Sequence, residues 1–491
     1  MKCAEFQPAT AVPDTKVGDV TSGTCSARAR SAERHHQVAL TRALRVRVRS
    51  NFCFPLPCIG LEDLAGRGHQ ISAPLGSSAD RPSTGWRLIW GEPSGRCLGL
   101  MIPQHFEKCE IDRRGQRLIE EMARRRLDFI LLMDPCNYYY VTGFPIGVLK
   151  GTFGALISAD GNVFWIGRKT DMSNVKALIE ADWSGDRHEI GAEIADDQDP
   201  YAAVGEAIAT IAPHGTRIGF ELAKAVIPPR GMTQIAAALP GREVVNAAGL
   251  IEPMRAVKSE AELTYMRRSG QIAAEATRAA LDGLLPGASE ADLAANLIGH
   301  AIRAGAEPFS LEPFVCSGPR SALAHSTWTM APLQSGTIIN TELAPPVARY
   351  SAPLFRVSVI GPPGDDICRL HDASRAGLLA GLESIGPGMT CHDADAVVRA
   401  TIDRLGYAGM FPVRAAYGVG INFAPDWSEE NVASIRPGNQ TPLEPGMCFH
   451  LVPALYQPGV GCACCSMTIC ITSDGVETLT PFEPELVVLH P

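Results

Sequence analysis

An internal repeat in the second half of the chain is the feature that most limits how this sequence can fold. Residues 286–289 (PGAS), followed by Asp292, are echoed 101 residues later by residues 387–390 (PGMT), followed by Asp393. In each copy a Ser or Thr lies three residues before an Asp, which is a helix-start signal, and apolar residues then recur at helical spacing. Helical patterns also precede the two copies, over residues 260–284 and 367–382. Two helices followed by strands, occurring twice, predict a pseudo-symmetric α+β domain whose sheet forms a basin where the copies meet.

Length, charge and cysteine content restrict the organisation and the partners of the chain. Its 491 residues are enough for two or three domains, because single cores stop growing near about 250 to 300 residues. The net charge of −9 argues against a mainly electrostatic nucleic-acid binder and favours small solutes as partners. No apolar run approaches the roughly 18 to 20 residues of a membrane helix and the first residues lack a secretion signal, so we expect a cytoplasmic protein. Its 15 cysteines are then expected to be reduced thiols.

Composition divides the chain into three parts. Residues 1–104 lack steady apolar periodicity, and seven arginines against one acid between residues 26 and 50 are typical of a solvated arm. We predict a disordered or non-native extension there, with Met101 as a candidate start; an organelle presequence or a basic nucleic-acid patch are the alternatives. Residues 105–251 show a helix, a buried strand and a hairpin, which indicate a layered α/β domain. Residues 252–491 contain the repeat.

Five segments resemble, in order, those of the creatinase, prolidase and methionine aminopeptidase superfamily. They are IEPMRAVKSEAELTYMRRSG, FVCSGPRSALAH, GTIINTEL, LEPGMCFHLVP and TICITSDG. The resemblance covers about residues 106–488. It implies a pita-bread catalytic domain over residues 252–491, preceded by a smaller creatinase-like α/β domain over residues 105–251. It also implies a homodimer.

The metalloenzymes of that superfamily bind two metal ions through two Asp, one His and two Glu. When the motifs are aligned, the residues of this chain at those five ligand positions are, in that order, Glu342, Pro353, Tyr417, Val452 and Ser466. Only one carboxylate is left, and divalent metals need several oxygen or nitrogen donors. We therefore predict no metal site, no cofactor and no ordinary aminopeptidase activity.

Two residues are the catalytic candidates. His325, in SALAHST, matches the histidine that serves as general acid and base in creatinase, a metal-free member of the superfamily. An imidazole can accept and return a proton near neutral pH. Glu342 would face a cationic substrate, either pairing with it or attacking its electron-poor carbon. The sequence leaves both routes open, and it also leaves open a structural His325 and a solvated Glu342.

A closer resemblance points to the metal-independent ectoine hydrolase branch, which opens a cyclic amidine. It lies in NTELAPPVARYSAPLFR, YGVGINFAPDWSEENVASIRPGN and PGMCFHLVP, although Met467 stands where that branch keeps an acid. An amidinium carbon is already electron-poor, so a metal is dispensable. We therefore expect a small cationic or zwitterionic substrate, a cyclic amidine or guanidino acid, with ectoine as the best single candidate.

The same resemblance supplies substrate-binding candidates. The stretch RYSAPLFR contributes Arg349, Tyr350 and Arg356, whose guanidinium groups match the geometry of a carboxylate. Other motifs of the catalytic domain contribute Tyr417, Asp426, Trp427, Phe449 and His450. Alternation along CFHLV lets only one of the last two face the pocket. The stretch DPCNYYYVTGF contributes Asn137, Tyr138 and Tyr140, which match a loop that reaches toward an active site, in some members that of the neighbouring protomer.

Two other classes of function compete with this hypothesis. A catalytically inactive domain that binds peptides or proteins would not need a histidine near Glu342, nor Tyr, Trp and Arg gathered in the former metal basin. A metal-dependent aminopeptidase or lyase of the same fold would keep the metal ligands that the chain lacks.

Overall fold

The computed structural model describes residues 104–147, 152–181, 187–213, 216–222 and 227–490. The predicted extension, including its arginine-rich arm and Met101, lies outside the described residues except for residue 104. Within the described ranges, no helix is long and apolar enough to cross a membrane.

The first domain is built around a six-stranded mixed sheet in the order β4-β3-β2-β1-β5-β6. Its strands are β1 (Phe129–Leu132), β2 (Phe153–Ser158), β3 (Val163–Arg168), β4 (His188–Ile194), β5 (Arg217–Phe220) and β6 (Glu243–Asn246). Its helices are α1 (Lys108–Arg124), α2 (Pro135–Thr142), α3 (Lys169–Glu180), α4 (Pro200–Ile211) and α5 (Pro229–Ala237). The predicted helix, buried strand and hairpin are α1, β1 and the antiparallel pair β2 and β3.

The second domain carries two helix pairs and the remaining strands. Its helices are α6 (Glu252–Ala256), α7 (Glu260–Asp282), α8 (Glu290–Arg303), α9 (Asp365–Ser384) and α10 (Cys391–Arg404). Its strands are β7 (Phe314–Ser317), β8 (Ile338–Leu343), β9 (Leu354–Ile360), β10 (Ala416–Phe423), β11 (Asp426–Ser428), β12 (Ser434–Ile435), β13 (Cys448–Leu451), β14 (Leu455–Gln457), β15 (Gly461–Ala463), β16 (Met467–Ile471), β17 (Val476–Thr478) and β18 (Val487–Leu489). One sheet runs β18-β9-β8-β7, a second runs β11-β10-β13-β16-β17 with β12 beside β10, and β14 pairs with β15.

The repeat predicted from the sequence is present as two helix pairs that begin in the same way. The Ser289 hydroxyl accepts a hydrogen bond from the Asp292 N–H at 3.2 Å, and α8 follows. The Thr390 hydroxyl accepts from the Asp393 N–H at 3.1 Å, and α10 follows. These hydroxyls satisfy N–H groups that the first helical turn leaves free, which fixes where each helix starts.

Each helix pair has its own apolar cluster, and that of α9 and α10 also includes residues of β8 and β9. Leu293, Leu297 and Ala301 of α8 are buried in one cluster with residues of β7, β8 and β9. The equivalent apolar stripe of α10 is buried in another cluster with residues of β13 and β16. The two sheets together line a cavity where the copies meet, so the predicted basin is present.

Candidate active site

A cavity of about 800 Å³ lies where strands of the two sheets meet, a size suited to a small ligand. Its walls come from β7, β8 and β9 on one side and from β10, β11 and the following loop on the other. Five of the predicted site residues line it: His325, Glu342, Tyr417, Asp426 and Trp427. The Asp426 carboxylate accepts hydrogen bonds from the Ser428 N–H and hydroxyl, which hold it at the rim.

Glu342 projects into the cavity from β8, in a setting that disfavours its charge. Its side chain is 12% exposed, and burial raises the pKa of the carboxyl to about 8. The closest basic nitrogen is His450 Nδ1, 3.9 Å from Glu342 Oε1. A positively charged ligand in the cavity would therefore favour the ionised form of Glu342.

A hydrogen-bonded chain lies behind Glu342. Tyr417 on β10 is directly opposite His450 on β13, and the Tyr417 hydroxyl is 2.8 Å from His450 Nδ1. His450 Nε2 is 2.7 Å from the Ser466 hydroxyl, and Trp427 Nε1 donates to the Tyr417 hydroxyl at 3.0 Å. Burial lowers the pKa of His450 to about 3, so the imidazole is neutral and has one donor and one acceptor nitrogen. His450 thus lies under the cavity wall and orients Tyr417.

His325 lies at the cavity mouth and is exposed. It follows β7 through a short 3₁₀ turn over Gly318–Ala322 and has a left-handed backbone conformation, with φ of 59°. Its ring packs against Phe314, with 5.7 Å between centroids. A non-glycine residue at positive φ is uncommon, and such strain often marks a functional position.

The positions that hold metal ligands in related metalloenzymes do not provide a ligand set here. Pro353 and Val452 have no side-chain donor atom, and the Ser466 hydroxyl is already bonded to His450. Burial, followed by the charge of Glu342, raises the pKa of Tyr417, so its hydroxyl stays protonated. Across the described ranges, no group of three or more His, Cys, Asp or Glu side chains is placed to hold a metal ion. These residues do not fit a two-metal centre.

Both predicted carboxylate-binding arginines are buried outside the cavity, which corrects that expectation. Arg349 donates to the Asn422 carbonyl from Nε and Nη2, at 3.1 and 2.8 Å. Arg356 is 1% exposed and donates from Nη1 to the carbonyls of Ser466 and Phe355, at 2.5 and 2.7 Å. Their guanidinium donors satisfy backbone carbonyls, so both arginines stabilise the domain.

Five further candidates also lie in the interior rather than at the cavity: Tyr350, Phe449, Asn137, Tyr138 and Tyr140. The Tyr350 hydroxyl donates to Glu262 at 2.8 Å, and the Tyr140 hydroxyl donates to a backbone carbonyl at 2.9 Å. Each of the five is 1% exposed or less, so neither a substrate nor a neighbouring protomer can touch it in this conformation. The prediction that they bind substrate is therefore not supported.

Several polar residues that were not predicted also line the cavity, and two of them bear on binding. Asn340 lies two residues before Glu342 on β8, so both side chains point to the same face of the strand. The Asn340 amide nitrogen donates to the Cys462 carbonyl at 3.0 Å, whereas its buried Oδ1 has no partner within the described part of the chain. Arg414, just before β10, is the other. Strand alternation from Glu342 would have identified Asn340, but Arg414 lies outside every recognised motif.

Comparison with known proteins identifies the families that the two domains match. The model of Metallopeptidase family M24 matches residues 264–473, and that of the Creatinase/Prolidase N-terminal domain matches residues 114–257. The uncharacterized peptidase YqhT of Bacillus subtilis is 30% identical over 247 residues, which cover 50% of this chain and 68% of that protein. The chain belongs to metallopeptidase family M24. It is a hydrolase of that family, and the predicted superfamily is confirmed.

Two other proteins are similar to this chain over most of its length. Ectoine hydrolase of Halomonas elongata is 28% identical over 403 residues, covering 79% of this chain and all of that protein. The solved Xaa-Pro dipeptidase of Bacillus anthracis has a TM-score of 0.66 at 23% identity, covering 77% of this chain and all of that one. The likeness to the solved structure confirms the pita-bread fold with its creatinase-like N-terminal domain.

Proposed function

We propose that this M24 chain is a metal-independent hydrolase that opens a carbon–nitrogen bond of a small cyclic amidine or guanidino acid. Ectoine is the first substrate to test, with N-acetyl-diaminobutyrate as its product. The observation that carries the proposal is that Glu342 is the one carboxylate at the five former ligand positions, whose other residues supply no metal-binding set. The similarity to ectoine hydrolase over the whole of that protein supports the substrate class.

The charges around the cavity favour a cation. Four acids line it, namely Glu312, Glu342, Asp426 and Glu430, against one arginine within the described residues. A peptidase needs a metal to polarise a neutral carbonyl and to lower the pKa of water from 15.7 to about 7. An amidinium or guanidinium carbon is already electron-poor, so a carboxylate facing the charge can take over the electrostatic part of that task.

The reaction needs few groups. The oxygen of water bonds to the amidinium carbon, one carbon–nitrogen bond breaks, and the leaving nitrogen takes a proton. Glu342 either orients the cation or forms a transient bond to its carbon that water then resolves. We assign the proton transfers to His325, which lies at the mouth where water has access.

Chelator treatment is expected to leave turnover of ectoine unchanged. The purified chain, treated with EDTA and desalted, would be assayed with ectoine, 5-hydroxyectoine and creatine by detection of the amine product. A Gly-Pro dipeptide serves as the comparison substrate, because it requires metal-assisted attack on a neutral carbonyl. Loss of ectoine turnover that manganese or cobalt restores would refute metal independence and favour the peptidase hypothesis.

His325→Ala is expected to lower kcat by about 10² to 10⁴, the contribution of a lost acid/base group. His300→Ala is the matched control, because His300 lies in the last turn of α8 and does not line the cavity. The measurement is kcat with ectoine at saturating concentration, with folding checked by circular dichroism. An unchanged rate would assign His325 a structural role.

The homodimer and the cytoplasmic location stay predictions.

A further inference from the structure

Arg414 differs from the buried Arg349 and Arg356 because it is half-buried and its guanidinium is only partly engaged. Its Nη2 is 3.0 Å from Glu430 Oε2, and the pair lies at the rim with the Arg414 side chain 28% exposed. Arg414 Nε is buried yet has no hydrogen-bond partner among the described residues. The guanidinium donors of Arg349 and Arg356 are directed to backbone carbonyls instead. Arg414 is partly exposed at the cavity, so guanidinium donors beyond the Glu430 pair can reach a ligand.

Arg414 lines the same cavity as Glu342 and packs on Tyr417. Its guanidinium carbon is 4.7 Å from the centre of the Tyr417 ring. At the other end of that side chain, the Tyr417 hydroxyl bonds to His450, whose Nδ1 is 3.9 Å from Glu342 Oε1. Arg414 and Glu342 thus bring a positive and a negative group to one cavity, and Tyr417 and His450 lie between them. A cavity lined by both groups suits a small molecule that has a cation at one end and an anion at the other.

We propose that Arg414 binds the carboxylate of a zwitterionic substrate whose amidinium or guanidinium group faces Glu342. Arg414 is then a specificity-determining residue, which separates carboxylated cyclic amidines from uncharged or purely cationic analogues. Glu430 holds the guanidinium in place in the free protein and competes with the incoming carboxylate. The inference rests on the proposed function and adds the second charged group of the substrate.

The test compares ectoine with 2-methyl-1,4,5,6-tetrahydropyrimidine, the same amidine ring without the carboxylate. Arg414→Gln is expected to raise KM for ectoine about 10- to 100-fold, the loss of a charge-assisted hydrogen bond, with kcat changed less than about threefold. For the ring without the carboxylate, KM should stay the same. Glu430→Gln should lower KM for ectoine, because it removes the competing anion.

Arg375→Gln is the matched control. Arg375 also has a buried Nε without a partner in the described part of the chain, and it pairs with Glu485 at 2.7 Å, but it does not line the cavity. Its replacement should leave both KM values unchanged. Arg414→Lys keeps the charge without the planar fork and covers the case in which the glutamine variant fails to fold. The comparison of the two compounds on the unchanged chain needs no variant at all.

The outcomes separate this inference from the proposed function. If the unchanged chain binds both compounds equally well in thermal-shift titrations, or if Arg414→Gln affects both equally, the role of Arg414 is refuted and the amidine hydrolase proposal stands. If the unchanged chain neither binds nor turns over either compound, the proposed function fails and the inference fails with it.

Discussion

Glu342→Gln is expected to abolish turnover of a cyclic amidine while leaving the chain folded. The amide keeps the shape of the side chain but removes the negative charge that pairs with the amidinium or attacks its carbon. The loss in kcat should therefore reach about 10⁴-fold or more, as for other essential groups that act on the reacting atom. Steady-state kinetics with ectoine measure it, and Glu275→Gln, outside the cavity, is the control.

The pKa of Glu342 gives the same variant a second, independent readout. The pKa is raised from the usual 4.5 to about 8, so between these values the folded chain holds a proton that the unfolded chain has lost. Stability contributed by the protonated form is present below pH 4.5 and is lost as the pH rises toward 8. At pH 8 and above, Glu342→Gln should therefore melt at a higher temperature than the unchanged chain.

The activity of the unchanged chain should rise with pH, whereas the stability contributed by Glu342 falls. Since the ionised carboxylate is the reactive form, kcat/KM should rise with pH and level off above about 8. A Glu342→Gln variant with normal kcat would remove the carboxylate from the mechanism. A kcat/KM that is flat from pH 6 to 9 would show that the charge of Glu342 is already fixed in the free protein.

Much of the fold follows from local patterns. The PGAS and PGMT copies predict two helix starts because a hydroxyl three residues before an Asp can bond to its N–H, and both bonds are present. The helices that precede the copies, α7 and α9, lie within a few residues of their predicted bounds. The α2 helix was not predicted, because its three tyrosines and a valine favour strands; Asp134, which caps it, was the available signal.

Part of the site was predictable because strand position decides it. Glu342 and Tyr417 reach the cavity because each lies on a strand whose motif fixes its register. Whether an arginine faces a ligand or a backbone carbonyl depends on partners far along the chain, as Arg356 and the Phe482 carbonyl show. The pairing of Tyr417 with His450 depends on the register between β10 and β13, which residue spacing within one strand does not set.

Replacing the metal-binding carboxylates at these positions has one physical consequence. Clustered carboxylates are stable only with cations among them, because like charges held close together repel. In this chain Ser466 and Tyr417 occupy two of those positions, and His450 joins them through neutral hydrogen bonds of 2.7 and 2.8 Å. Ser466 and Tyr417 are therefore satisfied internally, and Glu342 is left as the one carboxylate at the former ligand positions.

Arg255→Ala is expected to lower the free energy of unfolding by about 3 to 5 kcal/mol, because it leaves a buried charge short of a partner. Arg255 Nε donates to Glu429 Oε1 at 3.1 Å, and Lys258 Nζ donates to Glu429 Oε2 at 2.8 Å. All three side chains are 2% exposed or less. Arg255 Nη1 also donates to Asn137 Oδ1 at 2.6 Å, which links the two domains, so the loss should affect both. Urea unfolding at pH 7 measures the change.

Lowering the pH should remove the stabilisation by the Arg255–Glu429 pair in the unchanged chain. Burial would raise the pKa of Glu429, but the charges of Lys258 and Arg255 outweigh it and lower the pKa to about 2. Because the folded pKa lies below the usual 4.5, the stabilisation is complete above pH 4.5 and is lost as the pH falls toward 2. The control is Arg369→Ala, whose exposed pair with Asp366 is worth about 0 to 1 kcal/mol. An Arg255→Ala chain that unfolds at the same urea concentration as the control would show that Lys258 alone balances Glu429.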